Sequence, residues 1–278
     1  MVQWAVDFLN QTPGKPFFLA AGIYRPHLPF YAPRKYFDLY PPESIHLPEK
    51  RDDDLDDLPQ AGKAMAAQRR EDYELVMKAG KYRELLQAYL ASVSFADAMV
   101  GRLLDALEQS GHADRTIVVL WSDHGWHLGE KQHLHKFTLW ERSTRIPFVV
   151  VVPGVTRERS VCRKPVGMID LFPTLNELCE LPDVDGLSGQ SIVPLLTNPN
   201  RAWDRPALTS HGQGNHALRS ERWRYIRYAD GSEELYDHSK DPNECTNLAT
   251  RREFAGIKTD LARWLPDKDA KPRKRKKK

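Results

Sequence analysis

Apolar side chains recur every three or four residues between residues 81 and 110, which is the clearest periodic pattern in the chain. This spacing predicts one long amphipathic helix, and Gly111 is expected to end it. Two continuous apolar runs follow, at residues 116–121 and 146–152. Their lack of alternation predicts strands that are buried on both faces.

The remaining patterns complete an α/β arrangement. The chain opens on a short helical pattern and is predicted to turn at Pro13 and Gly14 into a buried strand at residues 16–21. Residues 170–181 predict another helix. Because buried strands alternate with helices, the fold class expected is α/β, a mixed sheet covered by helices on both sides.

The pattern changes near residue 202, where short alternating strands are predicted at residues 216–220, 223–228 and 233–236. The last two are joined across Asp230-Gly231, a strong hairpin signal. We therefore predict three regions: an α/β domain at residues 1–201, a small antiparallel sheet with a closing helix at 202–266, and a basic disordered tail at 267–278.

Charge and composition exclude several classes of protein. The net charge of +3 comes from seven Lys or Arg residues at positions 271–278; without them, 34 basic side chains face 38 acidic ones. Since no recognition module accompanies the basic run, we do not expect a nucleic-acid-binding protein. No apolar run reaches the ~20 residues of a membrane helix, and the first residues do not resemble a signal peptide.

Two other groups of residues predict ordinary roles. Three scattered cysteines are too few for a disulfide framework or a zinc site. The acidic run at residues 52–57 lacks the central Gly and closing Glu of an EF-hand loop, so it is interpreted as a solvated loop.

The most informative segment begins where the first apolar strand ends. Asp123 and His124 directly follow residues 116–121, at the strand end where open α/β sheets collect ligands. A carboxylate and an imidazole, followed by Gly125, can bind one divalent cation, although Asp-His-Gly alone also fits a simple turn. Four histidines at positions 124, 127, 133 and 135 raise the alternative of a zinc cluster, without a supporting HExxH or Cys-x-x-Cys spacing.

Together with its flanking motifs, this segment resembles the sulfatase family, within the alkaline phosphatase superfamily, and most closely its iduronate-2-sulfatase branch. The matching motifs run in order along nearly the whole chain: Lys-Pro-Phe-Phe-Leu at 15–19, Arg-Pro-His-Leu-Pro-Phe at 25–30, Ser-Asp-His-Gly at 122–125, Leu-Gly-Glu at 128–130, Asp-Leu-Phe-Pro-Thr at 170–174, and Glu-Leu-Tyr-Asp at 234–237. The fold implied is that of alkaline phosphatase, here lacking its first strands.

The resemblance assigns roles residue by residue. Asp123 and His124 match two metal ligands, usually for calcium. Lys136 matches the lysine that binds the sulfate group, which suits a point charge on a long side chain. His27 matches a histidine near the leaving oxygen, and Trp126 and His127 are expected to contact sugar.

The chain also departs from the family pattern. Sulfatases convert a Cys or Ser in a Cys/Ser-x-Pro/Ala-x-Arg motif to formylglycine, and that motif is absent from these 278 residues. An early Asp-Asp pair that supplies further metal ligands is also missing. We therefore expect an amino-terminally truncated chain that is inactive alone, because it lacks the nucleophile and most of the ligands that calcium requires.

The function expected of the intact enzyme is hydrolysis of a sulfate ester on a glycosaminoglycan or related sulfated polysaccharide. By family resemblance it would be exported, to the periplasm, the extracellular space or the lysosome. The absent motif leaves three explanations open: a mis-called start, a split gene whose separately encoded amino-terminal half would be the partner, and a decayed gene. Two alternatives stay open: a non-catalytic or split-enzyme fragment, and a phosphoryl or phosphonate hydrolase of the same superfamily.

Overall fold

The structure is a computed structural model, and it describes residues 1–11 and 14–269. The predicted turn at Pro13 and residues 270–278 of the predicted tail lie outside the described residues. The chain divides into two compact units. Unit 1 comprises residues 1–48, 71–118 and 151–153, and unit 2 comprises residues 49–70, 119–150 and 154–278. The predicted boundary at residue 202 stays a prediction.

The described part of the chain contains nine α-helices and six strands. The α-helices are α1 Val2–Leu9, α2 Arg34–Phe37, α3 Gln60–Ala66, α4 Arg70–Lys78, α5 Tyr82–Gln109, α6 Glu141–Thr144, α7 Leu171–Leu178, α8 Val193–Thr197 and α9 Ala255–Ala262. The strands are β1 Val118–Trp121, β2 Phe148–Val151, β3 Ala207–Ser210, β4 His216–Arg219, β5 Trp223–Arg227 and β6 Glu233–Asp237. Among the described residues, no helix combines the length and apolar character needed to cross a bilayer.

Helix α5 organises unit 1 and confirms the helix predicted from the apolar spacing. It spans 28 residues and is followed by Gly111, whose φ of +68° is a left-handed conformation that suits glycine at a helix end. Helix α1 packs against it through Leu9, which contacts Ala106 and Leu107 in a small apolar core.

The strand predicted at residues 16–21 is wrong, because the segment is extended but has no strand beside it among the described residues. Its side chains still alternate as they would in a strand. Phe17 and Leu19 pack onto the core of unit 1, whereas Phe18 is exposed. The apolar run therefore results from packing against α1 and α5, and not from hydrogen bonding to a neighbouring strand.

Strands β1 and β2 form a two-stranded sheet and confirm the two strands predicted from the apolar runs. The expected burial on both faces is wrong, since Leu120, Trp121, Val149 and Val151 are all exposed. A sheet of two strands leaves both edges open, and here it also leaves apolar side chains in contact with solvent.

The carboxyl-terminal part of unit 2 is a four-stranded antiparallel sheet in the order β3-β4-β5-β6. The predicted hairpin is confirmed, with Trp223 opposite Asp237 and Arg227 opposite Glu233 across the turn at Asp230-Gly231. Strand β3 was not predicted. The sheet has an apolar core on each face: Ile226 and Tyr236 pack with Trp140 on one face, whereas Tyr225 and Leu235 pack with α9 on the other.

Candidate functional site

The segment between β1 and β2, residues 122–147, folds back on itself and carries most of the predicted site residues. Three backbone hydrogen bonds hold the two arms together: Gly125 N donates to Ser143 O at 2.7 Å, His127 N to His135 O at 2.9 Å, and Gly129 N to His133 O at 2.9 Å. We call residues 133–147 the returning arm. The pairing brings Lys136, which lies on this arm, alongside the residues that follow β1.

Gly125 is required because the returning arm approaches it very closely. A Cβ at this position would lie 2.1 Å from Arg142 O and 2.8 Å from Arg145 O, both backbone atoms that a side-chain rotation cannot move. The sequence predicted that Gly125 lets the chain turn away, whereas the structure shows that it lets two backbone segments meet.

Replacing Gly125 by alanine is expected to lower the free energy of unfolding by about 1–3 kcal/mol, the usual cost of overpacking. The Cβ would push the returning arm away and lengthen the Gly125 N to Ser143 O bond. Thermal unfolding of Gly125→Ala, beside Gly256→Ala, checks this expectation. A Cβ at Gly256 would meet no neighbouring atom within 4 Å, so Gly256→Ala should leave stability nearly unchanged or raise it.

Asp123, His124 and Lys136 lie together in unit 2. Lys136 Nζ is 2.7 Å from His124 Nε2, and His124 Nε2 is 3.7 Å from Asp123 Oδ1. His124 Nδ1 lies 2.6 Å from Gly125 O, a pure acceptor, so Nδ1 bears the proton. Nε2 therefore presents its lone pair to the ammonium group of Lys136.

This donor set fits a divalent cation in part. His124 Nε2 and Asp123 Oδ1 are close enough to bind one ion, the Asp123 carboxylate is 77% exposed, and the tautomer of His124 leaves Nε2 free to bind a metal if Lys136 moves aside. Two donors are too few for calcium, which takes 6–8 oxygen ligands. The two residues alone do not form a calcium site, and metal binding by Asp123 and His124 stays a prediction.

Trp126 and His127 have different surroundings. Trp126 is half-buried, with its ring centroid 6.2 Å from that of His124. His127 is fully buried, and its ring contacts Thr138 Oγ1 at 2.8 Å and Glu130 O at 3.2 Å. Burial lowers the pKa of His127 well below its usual value, with a smaller contribution from His133. Sugar contact by Trp126 and His127 stays a prediction, and the geometry of His127 favours a structural role.

His133 and His135 are also buried, and their roles are structural. His133 lies between two backbone carbonyls, with Nδ1 3.1 Å from Ala66 O and Nε2 3.2 Å from Lys136 O. Burial lowers the pKa of His133, so the neutral ring donates to one of these two carbonyls. His135 packs edge-on against Trp126 at 5.3 Å. Within the described ranges, the histidines of this segment form no three-donor metal group, so the structure gives no support to a zinc cluster.

His27 lies in unit 1, in the proline-rich loop after residue 22. Its Nδ1 contacts Leu28 O at 2.6 Å and the Tyr24 hydroxyl at 3.0 Å, and its ring packs on that of Tyr24 at 4.8 Å. These contacts fix the ring orientation and place the proton on Nδ1. A role for His27 beside a leaving oxygen stays a prediction.

One group that sequence patterns did not reveal joins the returning arm to the carboxyl-terminal sheet. Glu141, His238 and Glu244 bring three potential metal-binding atoms within 4.8 Å of one another. Arg224 pairs with both carboxylates, at 2.5 Å from Glu244 and in closer contact with Glu141, and Arg219 lies 3.1 Å from Glu141. Two guanidinium groups balance the two carboxylates, so this group is a buried ion-pair network that requires no cation.

A second unpredicted contact lies at the tip of the same segment. Lys131 is buried, and its Nζ donates to Asp54 Oδ1 at 2.7 Å and to the backbone oxygens of Asp54 and Glu244. The rings of Trp140 and Tyr236 lie 5.9 and 5.5 Å from the ammonium group. Asp54 belongs to the acidic run that was interpreted as solvated, and for this residue that interpretation is wrong. No local signal marks the pair, because 77 residues separate its members.

Comparison with known proteins gives two family matches. The family described as Sulfatase matches residues 1–181, and the family described as N-sulphoglucosamine sulphohydrolase, C-terminal, matches residues 129–271.

Curated relatives extend the likeness over almost the whole chain. A sulfatase from Formosa agariphila is 41% identical over 270 residues, covering 97% of this chain and 53% of that protein. The iduronate 2-sulfatase of Homo sapiens is 33% identical over 226 residues, covering 70% of this chain and 40% of that protein. The chain thus spans about half the length, or less, of these relatives.

Solved structures show the same α/β fold. A phosphonate monoester hydrolase from Silicibacter pomeroyi superposes with a TM-score of 0.79 at 25% identity, covering 94% of this chain and 58% of that one. A structure in complex with its substrate D-glucosamine-2-N,6-O-disulfate has a TM-score of 0.61 at 26% identity, covering 71% of this chain and 44% of that one.

Proposed function

We propose, since this chain belongs to the sulfatase family, that it forms part of an enzyme that hydrolyses sulfate esters on glycans. Contact between Lys136 Nζ and His124 Nε2 at 2.7 Å carries this proposal, because it brings a cation and a metal-binding nitrogen within reach of one small anion. Lys136 would release His124 and donate to a sulfate oxygen.

Asp123 and His124 would hold the divalent cation, calcium or another, which when bound neutralises charge on the sulfate. Lys136 would then provide the second positive charge, on the neighbouring arm. Formylglycine is the nucleophile of the family, and its motif does not occur in these 278 residues. In the family, an amino-terminal part of the enzyme supplies this nucleophile and the other metal ligands. By the family resemblance, His27 would assist departure of the alcohol.

The type of sulfatase, its substrate and its location are proposed from the same resemblance. The iduronate-2-sulfatase type is supported by the 33% identity to the human enzyme and by the Arg25-Pro26-His27 motif. Sulfated glycosaminoglycans or related polysaccharides are supported as substrates by the disulfated glucosamine bound to one structural relative. Export from the cytoplasm is proposed from family membership alone.

The isolated chain is expected to bind inorganic sulfate through Lys136 but to hydrolyse neither an aryl sulfate nor a sulfated uronic-acid disaccharide. Calorimetric titration in the presence of calcium, together with a turnover assay, measures both properties. Lys136→Ala should abolish sulfate binding, whereas Lys240→Ala, at an exposed lysine of the same unit, should not. Turnover by the isolated chain, or equal sulfate affinity of the two variants, would contradict the proposal.

A second candidate function is hydrolysis of phosphonate monoesters, favoured by the TM-score of 0.79 to the Silicibacter pomeroyi enzyme. Competition between sulfate and methylphosphonate for the isolated chain separates the two functions. Preference for sulfate supports the sulfatase, and preference for the phosphonate supports the alternative.

A further inference from the structure

Phe137 directly follows Lys136 and has two unusual properties. Its side chain is 52% exposed, and its backbone has a φ of +68°, a left-handed conformation that is uncommon for a bulky residue. Strain of this kind persists only where the surrounding structure imposes it, and it concentrates at functional sites. The residue that follows imposes it here, since Thr138 is buried and its hydroxyl donates to Ser143 Oγ at 2.8 Å.

His211 lies beside Phe137 in unit 2. The two ring centroids are 6.1 Å apart with an angle of 34° between the planes, so the rings form a tilted aromatic pair. Reciprocal bonds hold the turn that carries His211: His211 N donates to Asn215 O, and Asn215 Nδ2 donates to His211 O, both at 3.0 Å. Asn215 Oδ1 also accepts from Ala229 N, which ties this turn to the β5–β6 hairpin.

This aromatic pair lies next to the proposed anion site. Lys136 Nζ lies 5.5 Å from the centroid of the Phe137 ring. A sulfate held by Lys136 would therefore lie close to the Phe137 ring, within reach of a sugar that contacts Phe137 and His211. Aromatic faces carry a negative quadrupole and favour the weakly positive C–H face of a pyranose, while the imidazole of His211 can hydrogen-bond a hydroxyl group.

We propose that Phe137 and His211 form a sugar-binding subsite for the pyranose ring whose sulfate contacts Lys136. This inference rests on the proposed function and extends it by assigning the residues that recognise the sugar. The hydrogen-bonding capacity of His211 favours a hydroxylated ring over an aromatic alcohol.

Titration of the full chain with inorganic sulfate, glucosamine 6-sulfate and phenyl sulfate tests the subsite. The wild-type chain should bind the sulfated sugar more tightly than sulfate, and Phe137→Gly should remove this advantage, which is roughly a tenfold change in the ratio of the two Kd values. Glycine suits a φ of +68°, so this variant should keep its fold and its melting temperature. Phe137→Tyr should retain the sugar preference.

Phe172→Ala provides a matched control, because Phe172 is an equally exposed phenylalanine in the same unit. His211→Ala should weaken the binding of glucosamine 6-sulfate without changing the affinity for phenyl sulfate. Equal affinity of wild type and Phe137→Gly for glucosamine 6-sulfate, with Lys136-dependent sulfate binding intact, overturns the subsite alone. Absence of Lys136-dependent binding of all three probes overturns the proposed function as well, so the two failures are distinguishable.

Discussion

Replacing Asp54 by alanine is expected to lower the free energy of unfolding by about 3–5 kcal/mol, because it leaves a buried ammonium group without its counter-ion. The side chains of Lys131 and Asp54 are 1% and 8% exposed. Asp54 Oδ2 also accepts from the backbone N–H of Lys131, whose φ of +55° is a strained conformation. A single carboxylate thus satisfies both the side chain and the backbone at the tip of the segment.

The consequence for the site is also large. Lys131 lies between the two arms of residues 122–147, so losing its anchor should loosen the pairing that brings Lys136 to His124. Urea unfolding followed by circular dichroism measures the stability, and sulfate titration measures the site. Asp54→Ala should impair both.

Asp53→Ala is the matched control, since Asp53 is the preceding residue and forms an exposed pair with Arg51. Exposed pairs contribute little, so this variant should resemble the wild type. A second comparison isolates the charge: Asp54→Asn combined with Lys131→Met removes both charges but keeps a side-chain oxygen for the backbone N–H of Lys131, so it should cost less stability than Asp54→Ala. If Asp54→Ala and Asp53→Ala were equally stable, Asp54 would not be the anchor.

The sequence predicted those elements whose signals are local. Helix α5 was found because its apolar side chains recur on one face over many turns, and the β5–β6 hairpin because Asp230-Gly231 favours a tight turn. Strand β3 was missed because four residues after a proline give too short a pattern. Residues 16–21 were assigned to a strand because an apolar run does not reveal whether a partner strand exists.

For the candidate site, the sequence predicted the motif residues but not the residues that hold them in place. Asp123, His124 and Lys136 were predicted from family motifs; the structure places Lys136 Nζ 2.7 Å from His124 Nε2, and the roles of the three residues stay predictions. The residues that hold them were not identified. Lys131 with Asp54, and Arg224 with Glu141, are separated by 77 and 83 residues, so no periodicity or spacing relates them.

Arg224→Met should have the other large effect, a loss of about 3–5 kcal/mol of stability at neutral pH. The Arg224 side chain is 2% exposed and contacts the carboxylates of Glu141 and Glu244, and it also donates to Leu139 O at 2.9 Å. Methionine fills a similar volume but leaves two buried carboxylates opposed by Arg219, His238 and the more exposed Arg145. The network joins α6 to β5, so its loss should weaken the packing of the returning arm on the sheet.

The dependence on pH distinguishes this effect from a simple packing defect. Burial alone would raise the pKa of Glu141, but Arg224 and then Arg219 lower it from 4.5 to about 2. A carboxyl with a lowered pKa stabilises the fold fully above pH 4.5, and this contribution is lost as the pH falls towards 2. At ~1.4 kcal/mol per pKa unit, Glu141 contributes about 3 kcal/mol to wild-type stability at neutral pH.

In Arg224→Met this contribution is already absent, since burial would then raise the pKa of Glu141 with less opposition. The difference in unfolding free energy between wild type and variant should therefore be largest near pH 7 and shrink as the pH falls, first through the raised pKa of Glu141 in the variant and then towards the wild-type value of about 2. Urea unfolding at pH 7, 4.5 and 3 measures this difference. Arg263→Met, at an exposed ion pair with Asp260, should follow the wild type at every pH. A deficit in Arg224→Met that stays constant with pH would mean that Arg224 acts through packing, because only a charge effect disappears when the carboxylates are protonated.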